Sequence, residues 1–290
     1  MKSYSDYSIQ TVSLEQKNNP NVLKNLKSPP KTIYYRGKLE TIDFSKCLAV
    51  VGSRRITSYG RQVLEKFIPD FVSSGVTIVS GFMYGVDTLA HELAVKYGGK
   101  TIAVFGNGLD VVYPVENDKL YSEILESGGV VLSEYKPNHK PHLWTYPQRN
   151  RIVAALSQMG VLVIEAGEKS GSLVTVKWAR KLKRKVYAVP GPITSSASVG
   201  TNYILQMGLA KIAVKSSDII NIEHKSTQDR SIQGMSRLEA KIYQTLLREN
   251  FTLDELAIVL GEDIVKVSTE ISMMSLKGVI YEVSGKIYLT

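Results

Sequence analysis

Six short apolar runs, each stopped by small residues, constrain the fold of this chain more than any other feature. They occupy residues 47–51, 76–79, 101–105, 130–132, 161–164 and 186–189. They end at Gly52-Ser53, Ser80-Gly81, Gly106-Asn107-Gly108, Ser133-Glu134, Glu165-Ala166 and Pro190-Gly191. Between most of them, residues 61–72, 86–96, 119–125, 150–156 and 173–182 carry apolar side chains at helical spacing. Continuous Val/Ile runs, without the apolar–polar alternation of a half-exposed strand, are strands covered on both faces. Their alternation with helices predicts a doubly wound α/β domain with a mostly parallel sheet. Ligands of such sheets sit beyond the carboxyl ends of the strands, where every small-residue cluster falls.

The rest of the chain divides around this block. Residues 1–45 read as a polar N-terminal extension, with 32–37 a short edge strand ending in glycine. The α/β domain takes 46–220, and the polar, aperiodic stretch 221–235 reads as a linker. Ser236 is placed to cap a helix, with Glu239 at the capping-box position. Helices at 237–248, 253–260 and 263–277, then a hairpin of 279–283 and 286–289, predict a small C-terminal winged-helix domain over 236–290.

Charge narrows the partners. The net charge is +9, yet residues 236–290 hold 6 Lys and Arg against 8 Asp and Glu, or −2. Residues 1–235 therefore carry 30 against 19, or +11, a surface suited to a polyanion. No segment approaches the roughly 18 apolar residues of a membrane span. The opening residues lack an apolar signal core and there is one cysteine, Cys47, so a cytoplasmic protein without disulfides is expected.

Little points to ordinary catalysis. His91, His139, His142 and His224 have no metal-ligand spacing. The Walker pattern and the Gly-x-Ser-x-Gly elbow are absent. Gly106-Asn107-Gly108 follows a strand but lacks the third glycine of a dinucleotide fingerprint. It reads equally as a wide turn or as backbone N–H groups turned toward a ligand.

Anion binding is better supported. Gly52-Ser53-Arg54-Arg55 ends a strand and leads into a helix, where free backbone N–H groups and a guanidinium fork suit phosphate. Ser80-Gly81…Tyr84-Gly85…Asp87 makes a second such turn. Tyr146-Pro147-Gln148-Arg149-Asn150-Arg151 puts two arginines at the start of the helix expected over 150–156, where they oppose its dipole unless an anion binds. Tyr146 and Trp144 offer stacking faces. Ser170-Gly171-Ser172 opens a helix carrying Lys177, Arg180, Lys181, Lys183, Arg184 and Lys185.

Together these motifs resemble one family. Val51-Gly52-Ser53-Arg54, Ser80-Gly81…Gly85-Val86-Asp87…Ala90-His91, Gly106-Asn107-Gly108-Leu109-Asp110…Tyr113-Pro114, Ser133-Glu134, Tyr146-Pro147…Arg149-Asn150-Arg151-Ile152, Glu165-Ala166…Ser170-Gly171-Ser172, Ala188-Val189-Pro190-Gly191 and Gly200-Thr201-Asn202 occur in the order seen in the DNA-processing protein A (DprA, or Smf) family. The resemblance covers about residues 32–290. It implies an extended Rossmann-like domain that binds single-stranded DNA. It also implies a homodimer, no enzymatic reaction, no cofactor, and a role in natural transformation and homologous recombination. There the protein protects incoming DNA and helps load a RecA-type recombinase. Carried over from the family, Gly52, Ser53, Arg54, Tyr146, Arg149, Asn150, Arg151, Ser170, Gly171 and Ser172 are expected to line the DNA groove. The reading of the residues themselves adds Arg55, Gly81, Tyr84, Gly106, Asn107, Lys177 and Lys181 to the DNA-binding set. The apolar segment 203–209 is a candidate dimer surface.

Three features depart from the family pattern. Met83-Tyr84 replace a small and a basic residue, residues 1–45 are too short for an additional helical domain, and the C-terminal region is acidic. The third helix of that region offers only Lys266 and Lys277, which favours protein contact or packing over reading DNA. The alternative function is a nucleotide-processing or nucleotide-sensing Rossmann protein of phosphoribohydrolase type, with Glu165 as its carboxylate. Pro190-Gly191-Pro192-Ile193 departs from the glycine-rich signature of that class.

Overall fold

A computed structural model describes residues 3–13, 15–16, 20–220, 235–247, 249–283 and 285–289. The chain forms two compact units, Met1–Ile222 and Glu223–Thr290. The described strands of the first are β1 (Gln10–Ser13), β2 (Thr32–Gly37), β3 (Cys47–Val51), β4 (Thr77–Ser80), β5 (Thr101–Val104), β6 (Val130–Ser133), β7 (Gly160–Val163), β8 (Val186–Ala188) and β9 (Lys211–Ile212). The helices are α1 (Ser58–Ser73), α2 (Val86–Lys96), α3 (Asp118–Glu126), α4 (Thr145–Leu156), α5 (Ser172–Lys181) and α6 (Val199–Gln206).

The sheet order is β1-β2-β6-β5-β4-β3-β7-β8-β9. All neighbours from β6 to β9 pair in parallel. From β3 the chain builds outward through β4, β5 and β6, then returns to place β7 on the other flank of β3. The winding reverses between β3 and β7, and at that switch point the two sets of loops part and leave a crevice.

The packing explains the unbroken apolar runs. Leu48 and Val50 face α1 and α2, where they share a core with Leu64, Phe67, Ile68 and Phe71. Cys47, Ala49 and Val51 face the other layer, with Ile152 and Val153 of α4 and Val176 of α5. Both faces of β3 are dry, so neither can carry a polar residue. Each large side chain buried there contributes about 1.5–3 kcal/mol. Burial pushes the Cys47 thiol up to about 12, so the residue packs as a small hydrophobe.

Two expectations need correction. β2 is not an edge strand: β1 pairs along it antiparallel from Gln10 opposite Tyr35 to Ser13 opposite Thr32. On its other side β2 pairs antiparallel with β6. Gln10–Ser13 and Thr32–Gly37 therefore contribute two strands to the sheet rather than forming a mere extension. Only Val12 of β1 is buried, so the strand leaves no periodic signal. Arg36 of β2 is buried too, held by the Asp110 carboxylate at 2.8 Å and by the carbonyls of Tyr7 and Leu109. Second, α4 begins at Thr145 rather than Asn150. Pro147 falls in its first turn, where a missing N–H leaves no hydrogen bond unmade.

The second unit contains α7 (Arg237–Leu246), α8 (Leu253–Leu260), α9 (Ile264–Leu276) and a hairpin of β10 (Ile280–Val283) and β11 (Lys286–Leu289). The Ser236 hydroxyl accepts from Glu239 N at 3.1 Å, and the Glu239 carboxylate accepts from Ser236 N at 2.7 Å. Lys277, just beyond α9, donates to Glu239 at 2.7 Å, so one of the two basic residues expected on that helix is spent inside the unit. The linker expected over 221–235 lies, except for Met235, outside the described residues. Among the described residues no helix is long and apolar enough to cross a membrane.

Candidate nucleic-acid interface

A cleft of about 540 Å³ opens at the switch point. Its walls come from the loops after β3, β4 and β7 and from the first turns of α4 and α5.

The β3 loop is shaped by close approach. A Cβ on Gly52 would lie 2.6 Å from a Val86 methyl carbon. Gly85 has φ +75°, and its Cβ would lie 2.3 Å from the Ser53 carbonyl oxygen. Val86 N donates to that same carbonyl at 3.1 Å. The Ser53 hydroxyl accepts from Arg55 N at 3.0 Å and donates to Arg55 O at 2.9 Å, which closes the turn. Ser53 therefore holds the loop, and Arg54 is the group it presents. The Arg54 guanidinium lies 5.6 Å from the Tyr146 ring centroid, and no carboxylate among the described residues pairs with it. Arg55 is also exposed and also lines the cleft.

An aromatic wall continues from Arg54. Tyr113 lies 6.0 Å from Tyr146 and 6.4 Å from Tyr84, ring centre to ring centre. The Tyr84 hydroxyl donates to Glu116 at 3.0 Å. Burial pushes the Tyr146 hydroxyl up to about 12, so it stays protonated at neutral pH. Gly106 sits beneath this ring, where a Cβ would lie 2.9 Å from Tyr146 Cδ1.

The opposite wall is the start of α5. Its N-cap is Gly171, and the Ser170 hydroxyl accepts from Ser172 N at 3.4 Å and lies 2.8 Å from the Ser172 hydroxyl. The positive end of the helix dipole thus opens on the cleft. Asn150 fastens the wall by donating to Gly171 O at 3.2 Å. Lys169 and Leu143 complete the rim.

Several expected contacts fall elsewhere. Arg149 reaches the cleft only as its floor: it is 2% exposed, and its guanidinium donates to the carbonyls of Gly81 and Val104. Burial lowers its pKa to about 10, against the pull of Asp87, so it remains cationic at neutral pH. The buried Asp87 carboxyl is raised by desolvation, which the Arg149 charge partly offsets. Arg151 is paired with Glu134 and does not line the cleft. Because α4 starts at Thr145, neither arginine is at a helix N-terminus, and the expected clash with the dipole does not arise.

Asn107 is buried and outside the cleft, with its amide donating to the carbonyls of Gly108 and Val111. Gly108 N and Asp110 N donate to His139 O and Pro137 O at 2.8 and 3.0 Å, so this turn is a packing turn. Lys177 and Lys181 are exposed on the outer face of α5, with Lys181 lying 4.8 Å over the Trp178 ring. The structure thus gathers Gly52, Ser53, Arg54, Arg55, Gly81, Tyr84, Tyr146, Arg149, Asn150, Ser170, Gly171 and Ser172 around one cleft. It leaves Gly106, Asn107, Arg151, Lys177 and Lys181 outside. Sequence reasoning missed Lys169, which lines the cleft, and Tyr113, which lies outside it and packs against the rings of Tyr84 and Tyr146. Lys169 was legible in the β7 loop, whereas Tyr113 owes its place to ring packing alone.

Two groups suited to catalysis are committed to the fold. Glu165 is buried and accepts from Thr57 N at 3.0 Å and from the Thr57 hydroxyl, which anchors the start of α1. The carboxylate on which the nucleotide-processing reading relied is therefore turned away from the cleft. His91 is buried against Thr101 at 2.7 Å, and burial lowers it to about 3, so it stays neutral.

With this geometry in view, relatives are informative. A model of the DNA recombination-mediator protein A family matches residues 10–224. The chain belongs to this family. It is 41% identical over 198 residues to the DNA processing protein DprA of Streptococcus pneumoniae, covering 68% of each chain. It is 34% identical over 219 residues to that of Bacillus subtilis, covering 76% of this chain and 73% of that one. The X-ray structure of the pneumococcal protein superposes with a TM-score of 0.67 at 38% identity, over 76% of this chain and 75% of that one. A Helicobacter pylori DprA, studied for its single-stranded DNA binding mode, gives 0.67 at 32% identity, over 76% of this chain and 97% of that one.

Proposed function

We propose that this protein is a recombination mediator that binds single-stranded DNA in the switch-point cleft and passes it to a RecA-type recombinase during natural transformation. One observation carries the reading. An arginine with no ion pair among the described residues, an aromatic wall and the N-terminus of α5 face one another across a cleft of about 540 Å³, far more space than a single phosphate fills. Phosphates meet Arg54, Arg55, Lys169 and the α5 terminus, while bases meet Tyr84, Tyr113 and Tyr146. Single strands fit this arrangement because only their bases are free to stack. The H. pylori relative studied for its single-stranded DNA binding supports the same reading.

Anisotropy titration of a labelled single strand, its duplex and a nucleoside monophosphate tests it at about 50 and about 200 mM salt. The single strand is expected to bind most tightly and to weaken with salt by about 0.7 log unit per log unit for each phosphate contact. Tighter binding of the monophosphate than of the strand would favour the nucleotide reading.

A homodimer completes the proposal. Val199 and Tyr203 of α6, with Met207 just after it, leave a row of apolar side chains exposed, while Ile204 packs into the core. Sedimentation is expected to show a wild-type dimer and a Met207→Glu monomer. A wild-type monomer at tens of micromolar contradicts this surface.

A further inference from the structure

The loop between β6 and α4, residues 134–144, carries a second aromatic cluster that the cleft does not use. The rings of His142 and Trp144 are nearly parallel, 10° apart in plane and 6.1 Å between centroids. Tyr135 meets Trp144 edge to face at 6.0 Å, and His139 does so at 6.3 Å. Tyr135 and His139 are themselves stacked at 4.7 Å. Three rings thus brace Trp144, yet the indole is 57% exposed. A tryptophan serving only the core would be turned inward, because its apolar area is the largest of any side chain. Here the bracing fixes an aromatic surface in solvent.

The surroundings identify what that surface suits. Lys136 and Lys140, on the same loop, are exposed, and neither forms an ion pair among the described residues. The adjacent Leu143 is 91% exposed and lines the cleft rim, so the loop is continuous with the cleft. A rigid aromatic surface flanked by cations, at the mouth of a groove for phosphates, is the arrangement by which single strands are held without regard to sequence. We propose that Trp144, braced by His142, His139 and Tyr135, is a stacking platform for a base of single-stranded nucleic acid leaving the cleft, with Lys136 and Lys140 holding the neighbouring phosphates. The proposal rests on the single-strand reading above and extends the path of the strand past the cleft.

Tryptophan fluorescence tests it. The chain has 2 tryptophans, Trp144 and Trp178, so Trp178→Phe leaves Trp144 as the reporter. Titration with thymidine homopolymers of increasing length is expected to quench Trp144 only once the strand outgrows the cleft. Trp144→Ala should weaken binding of the longer strands about tenfold and leave the shorter ones unchanged, while Trp144→Phe restores most of the loss. Strands that bind in an Arg54-dependent way, yet neither quench Trp144 nor sense its replacement, overturn the platform and leave the cleft intact. Failure of every strand to bind overturns the single-strand reading and the platform with it.

Discussion

Replacing Arg149 with alanine is expected to lower the thermal midpoint of the N-terminal unit by roughly 10 °C, the shift that a loss of about 3–5 kcal/mol produces in a unit of this size. The guanidinium is 2% exposed and ties the Gly81 carbonyl at the end of β4 to the Val104 carbonyl at the end of β5. Its removal leaves two buried acceptors without a donor and strands Asp87, itself buried, without the nearby charge that partly offsets its desolvation. The effect is large against a domain stability of about 5–15 kcal/mol. Binding of any ligand falls with it because the cleft floor moves. The double variant Arg149→Met, Asp87→Asn should cost less than the sum of its parts, since removing both charges leaves neither uncompensated. Calorimetry of the variants decides the point. An Arg149→Ala protein with an unchanged midpoint but no affinity for nucleic acid would make Arg149 a direct phosphate ligand and the buried geometry irrelevant to it.

This contrast between Arg149 and Arg54 also marks what the sequence could and could not express. The strands were legible because β3, β4, β5, β6 and β7 are buried on both faces and so carry unbroken apolar runs. The β3 loop was legible because a run that ends at Gly52 leaves a turn whose next side chains, Arg54 and Arg55, have no core to enter. In the Arg-Asn-Arg stretch the residue types were right and the directions were not. Helical spacing alone cannot tell that α4 starts at Thr145, nor that Arg149 therefore points down between β4 and β5 while Arg151 turns to Glu134. The turn at Asn107 was ambiguous for a related reason. Its N–H groups are claimed by carbonyls of Pro137 and His139, a contact between segments far apart in the chain. β1 escaped notice because a strand with one buried residue has no period to detect. The α8 and α9 helices needed no such long-range information, since local caps, Thr252 with Glu255 and Asp263, mark their starts.

Arg54 is expected to behave in the opposite way to Arg149. It is exposed, its guanidinium lies 5.6 Å from the Tyr146 ring centroid, and it forms no ion pair among the described residues. Arg54→Ala should leave the thermal midpoint within about 2 °C of wild type, as surface substitutions do. It should weaken single-strand binding about tenfold or more, the loss of one charge-assisted contact of about 1.5–3 kcal/mol. Arg54→Lys should recover part of the affinity, because an ammonium supplies the charge without the planar fork. The most direct test of the whole account is the salt dependence of single-strand affinity, measured side by side for the wild type and Arg54→Ala. The phosphate-gripping cleft predicts a log–log slope shallower by about 0.7 in the variant, with its fold intact. Equal slopes and equal affinities would contradict it.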